Sequence, residues 1–64
     1  MSFIIEALEE SKEEANTISI VTVEGSHSYK HTGIVEAIGD DDIKFKSTKG
    51  MMAIKTKNII KVEE

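Results

Sequence analysis

The spacing of apolar residues changes period once along this chain, near Asn16, and that change restricts the fold more than any other feature. Before it, Phe3, Ile4, Ala7, Leu8 and Ser11 recur at the three- and four-residue spacing of one helix face. Glu6, Glu9, Glu10, Glu13 and Glu14 fall mostly on the other face. The spacing predicts an amphipathic helix over about 3–14, with Ser2 as N-cap and Asn16 as stop. A helix this short is marginal alone, so Phe3, Ile4, Ala7 and Leu8 are expected to dock on the rest of the chain. An acidic opposite face argues against a membrane surface. Beyond Asn16 the pattern never returns to helical spacing. Helices and strands therefore do not alternate, and a parallel α/β sheet is not expected.

The segment TISIVTVE, 17–24, is rich in β-branched residues and apolar on both sides, which predicts a strand buried on both faces. Gly25 and Ser26 mark a turn, and HSYKHT, 27–32, reads as a polar stretch. Gly33 to Ile38 reads as a strand bent or bulged at Gly33. Gly39 to Asp42 is a turn, and Ile43 to Lys46 alternates as a half-buried strand should. Ser47 to Gly50 is a further turn. Met51 to Ile54 and Ile59 to Val62 supply the last two strands, separated by the polar run Lys55 to Asn58. One helix followed by five short antiparallel strands with a glycine bend predicts a small, strongly curved barrel, which at this size rarely closes completely and whose edges must be managed.

At 64 residues the chain is one domain or a piece of one, and a domain of about 60 residues buries only ~60% of its unfolded surface. There is no Cys, so neither a disulfide nor a thiolate ligand is available. Oligomerisation is the remaining route to more burial. No apolar run approaches the ~18 residues of a membrane span, and the acidic start is unlike a signal peptide, so a cytoplasmic protein is expected. No nucleophile–base constellation is present, which predicts a non-enzyme. No cofactor or metal is expected. His27 and His31 lack further ligands nearby in sequence, and Asp40 to Asp42 lack the spacing of a calcium loop.

The net charge of −4 is unevenly spread. Residues 1–24 carry six acids and one Lys, a local −5, whereas 25–62 carry four acids and seven Lys, a local +3. A mildly basic body is compatible with a polyanion on one face and equally with ordinary solvated surface. The absence of Arg argues against bidentate phosphate or base clamps. Tyr29 is a candidate stacking platform for a base, or a partly packed hairpin residue.

Several of these residues fall into a familiar order. A strand ends in Gly25, Gly33 bends the next, Val35-Glu36-Ala37-Ile38 follows, then a polar turn, then the alternating Ile43 and Phe45. Ala53 to Val62 adds a short strand, a basic turn at Lys55 and a final aliphatic strand. This order resembles the Sm/LSm family and, within it, the bacterial branch called Hfq. The resemblance implies a single Sm-like domain over 1–64: an N-terminal helix over about 3–14, then a five-stranded, strongly bent antiparallel SH3-like small barrel over about 17–62. It further implies a homo-oligomeric ring, a hexamer, that binds single-stranded RNA and modulates its pairing, stability or translation, with no DNA expected. Carried over to this chain, Lys55 would meet phosphate or a base edge, Thr56 would supply a hydroxyl, and Asp40 and Asp41 would lie at the base-binding rim. The chain also departs from that pattern. HSYKH lengthens the link between Gly25 and Gly33, Asp40 and Asp41 stand where Hfq carries an amide and an aromatic, and Thr56 replaces a His. The Arg-rich end of the Hfq helix becomes Glu9-Glu10-Ser11-Lys12. The alternative reading is a homo-oligomeric small barrel that binds protein and has lost RNA affinity.

Overall fold

The computed structural model describes residues 3–64, so the expected cap at Ser2 lies outside the described residues. Among them the order is α1 (Phe3–Glu14), β1 (Ile18–Glu24), β2 (His27–Ile38), β3 (Asp42–Ser47), β4 (Gly50–Lys55), a 3₁₀ turn (Thr56–Asn58) and β5 (Ile59–Glu63). The strands form one antiparallel sheet in the order β4-β3-β2-β1-β5. The described strands leave this sheet open, with β4 and β5 as edges that do not pair with each other. None of the described helices is long and apolar enough to cross a membrane.

HSYKHT is strand, not a loop insertion. The ladder runs from Ile18 opposite Gly33 to Glu24 opposite His27, which leaves only Gly25 and Ser26 in the turn. Gly25 adopts φ +61°, a left-handed conformation that glycine takes without steric cost. The segment lacks apolar alternation, so its strand character comes from the backbone ladder to β1.

Gly33 divides β2 between two partners. Residues before it pair with β1, and residues from it onward pair with β3, beginning at Ser47. A Cβ on Gly33 would lie 2.1 Å from the Lys46 carbonyl oxygen and 2.8 Å from Ser47 Cα. Backbone approaches backbone here, so only glycine fits. A second irregularity follows between Val35 and Ala37, where Glu36 is extra relative to β3 and bends the strand further.

Leu8, Ile18, Ile20, Val35, Ile43, Phe45, Ile54 and Ile59 form the core. On α1, Leu8 and Ser11 are buried and Ile4 packs partly against the core. Phe3, expected on the docking face, is 87% exposed. Ile4, Leu8 and Ser11 make the inward row, and Phe3 sits on the neighbouring row at the outer end. On β1, only the face of Ile18, Ile20 and Thr22 is buried, and Val21 and Val23 are half-buried. The expectation of two buried faces fails because Lys30 and Lys61 flank Val21 in register, so alkyl stems rather than a second layer lie beside it.

Ser11 joins helix to sheet. Its hydroxyl donates to the Asn16 carbonyl at 2.7 Å and accepts the Val35 N–H at 3.2 Å. The helix ends at Ala15, whose φ of 56° is left-handed, and the Asn16 N–H returns to the Ser11 carbonyl at 3.2 Å. That six-to-one closure is a Schellman cap. The helix body thus covers 3–14 as the spacing predicts, and Asn16 closes its end through its backbone N–H.

Candidate functional site

Two features could carry function: the corner where the β2–β3 and β4–β5 turns meet, and a groove beside the β1–β2 hairpin. The corner is built by backbone. The Gly39 N–H donates to the Asp42 carbonyl at 2.8 Å and closes the first turn. Asp42 then pairs with Lys55 across the β3–β4 ladder. The chain leaves β4 at Lys55 and enters the 3₁₀ turn. There the Thr56 N–H and the Thr56 hydroxyl both donate to the Asp41 carbonyl, each at 3.0 Å.

These bonds bring Asp41, Asp42, Lys55 and Thr56 together, although 15 residues separate Asp41 from Thr56. Asp40, Asp41 and Lys55 are exposed and Thr56 is half-buried. Thr56 spends its hydroxyl proton on Asp41, so what it can offer a ligand is acceptor lone pairs. The ion pairs among the described residues lie elsewhere, joining Glu63 to Lys30 at 3.2 Å and to Lys61 at 3.3 Å. The Lys30 hydrogen bond, and then that of Lys61, hold the Glu63 carboxyl below its ordinary value. Lys55 is exposed and lies directly across the ladder from Asp42.

Tyr29 lies apart from this corner on the other half of β2, opposite Thr22 and 45% exposed. His27, Tyr29 and His31 share one strand face, with ring centroids 6.5 Å apart in each neighbouring pair. The Tyr29 and His31 rings are 21° from parallel. His31 Nε2 lies 3.5 Å from Thr22 Oγ1, which gives the buried Thr22 hydroxyl a long, weak partner. The curl of the sheet turns this row toward β4. A groove of about 380 Å³ results, lined by Tyr29 and His31 on one side and by Met52, Ile54, Lys55 and Asn58 on the other.

Lys55 and Tyr29, both singled out from sequence, therefore reach the same groove, whereas Asp40, Asp41 and Thr56 do not line it. His31, Met52 and Asn58 were missed. The available signal was the alternation of rings with Ser28, Lys30 and Thr32 along 27–32, which is a period-two pattern without aliphatic residues. No group of three or more His, Asp or Glu able to hold a metal occurs among the described residues. Comparison with family models, with curated proteins and with solved structures returns no match to this chain.

Proposed function

We propose that this chain is an Sm-like small-barrel module whose copies join edge to edge into a homo-oligomeric ring, a hexamer, that binds single-stranded RNA. The strand order carries the reading. It leaves β4 and β5 as two unpaired edges among the described residues, each with a large apolar side chain in water: Met51 at 58% and Ile60 at 59% exposure. Pairing β4 of one copy with β5 of the next would satisfy both edges and cover both side chains. The corner of Asp41, Lys55 and Thr56 follows directly on β4, so a ring would repeat Lys55 once per copy and build a positive collar on an acidic protein.

Asp40 and Asp41, exposed in the turn whose Asp41 carbonyl binds Thr56, favour the second reading, a protein-binding barrel without RNA affinity. Light scattering combined with a salt titration of labelled U-rich and A-rich oligonucleotides separates the two. The RNA reading expects an assembly of several chains, and binding that rises steeply as salt falls, each neutralised phosphate adding about −0.7 to the log–log slope. Lys55→Ala should flatten that slope and weaken all sequences alike, and Asp41→Asn should strengthen binding. A monomer of 7.1 kDa at micromolar concentration removes the ring. An assembly that ignores both oligonucleotides at low salt leaves the protein-binding barrel.

A further inference from the structure

The β1–β2 hairpin runs past the end of the core. On its inward face the aliphatic row stops at Ile20, and the next residues inward are Thr22 and Glu24 on β1 and His31, Tyr29 and His27 on β2. Rings and polar groups thus occupy the outer end of a face that is aliphatic on the β1 side at Ile18 and Ile20. Opposite them, Met52 and Ile54 of β4 supply an apolar floor, and Lys55 and Asn58 supply polar groups at its end. The volume of about 380 Å³ falls within the range of about 300–1,000 Å³ usual for small-ligand sites.

We infer that this groove is a nucleobase subsite, in which one base of a single-stranded RNA stacks on Tyr29. The inference rests on the RNA reading above and deepens it, because Lys55 belongs both to the corner and to the groove. A base needs a flat apolar or aromatic surface for its face and mixed donors and acceptors for its edge. Tyr29 provides the first, and Met52 and Ile54 provide the opposing apolar wall. The Asn58 amide can donate and accept, and the Glu24 carboxylate at the lip of the groove accepts from amino or imino groups. Lys55 is the one lysine lining the groove, and it suits the phosphate joined to a bound base. An apolar peptide would bury Glu24, Lys55 and Asn58 against side chains that could not pair with them.

The chain offers a direct reporter, because Tyr29 is its only tyrosine and it has no Trp. Intrinsic emission therefore reads the proposed stacking residue alone. The full chain is titrated at low salt with end-labelled A-rich and U-rich oligonucleotides, following label anisotropy and Tyr29 emission together. Quenching of Tyr29 with the same midpoint as the anisotropy is expected. Tyr29→Leu, which keeps an apolar side chain but removes the ring, should weaken binding by about 5- to 150-fold. Tyr29→Phe, which keeps the ring, should bind as the parent does. Binding seen by anisotropy with unchanged Tyr29 emission, and Tyr29→Leu equal to the parent, overturns the base subsite and leaves the RNA reading standing. Absence of binding to either oligonucleotide overturns both. Light scattering on Tyr29→Leu completes the test: a drop in assembly mass would make Tyr29 a subunit contact and overturn the inference.

Discussion

The two halves of β2 are one strand with opposite duties. From His27 to Thr32 the strand pairs with β1, stays largely in water and carries rings on its inward face. From Gly33 to Ile38 it pairs with β3, buries Val35 in the core and receives a helix hydroxyl on its backbone. Residues in the second half answer to packing. Those in the first half are largely released from it, because the buried aliphatic row of β1 ends at Ile20. A strand can therefore be held by its ladder alone while its side chains remain available for other work.

The contrast can be broken at its junction. Gly33→Ala should be the most damaging single change, because the new methyl meets Lys46 and Ser47 backbone that no side-chain rotation relieves. A loss of about 3 kcal/mol or more is expected in urea unfolding, at the upper end of overpacking costs. A smaller loss would mean that the two halves can separate without the close approach.

Removing a buried hydroxyl from each side of the junction sharpens the comparison. Ser11→Ala leaves the buried Val35 N–H without its partner and should cost about 1–3 kcal/mol. Thr22→Val removes a hydroxyl of similar burial on the hairpin side, but its partner His31 is 3.5 Å away and only half-buried. That change should stay within about 0.5 kcal/mol, since His31 can turn to water instead. Equal losses from the two variants would show that the hairpin side is packed as tightly as the core side.

The smallest effect concerns the ion pairs at Glu63, of which the one from Lys30 ties the hairpin half to β5 and the one from Lys61 lies within β5. Lys30 and Lys61 hold the Glu63 carboxyl below its ordinary value, so its contribution is present above the unfolded-state pKa and is lost as pH falls through the lowered folded value. The pairs are exposed, so Glu63→Gln should leave the melting temperature at neutral pH almost unchanged. It should slightly flatten the fall in stability on acidification. A clear drop at neutral pH would show the hairpin held by charge rather than by its ladder.

Legibility followed range. The helix over 3–14, the bend at Gly33 and the alternation of Ile43 and Phe45 were readable, because each depends on residues within one or two turns of chain. HSYKHT was not, because its strand pairing depends on β1 and its rings carry no aliphatic alternation. Phe3 matched the helical spacing yet lies in water, since spacing assigns a face but not how far the underlying sheet extends. In the candidate site, Lys55, Thr56, Asp41 and Tyr29 could be singled out by type. That Thr56 clasps the Asp41 carbonyl, and that Tyr29 shares a groove with Lys55, could not be read in advance.

The charge imbalance, the absence of any covalent staple, the single change of period and the lone tyrosine are legible from the residues in order. These are properties of residue identity and local spacing, which bias segments toward helix or strand before any tertiary contact forms. Which strands are edges, where the core ends along the hairpin, and which polar residues face one another across the groove emerge from long-range packing. Those outcomes depend on register between strands far apart in the chain. A one-residue slip exchanges the faces of a strand, so the register is set where many side chains pack at once, and no short segment encodes it.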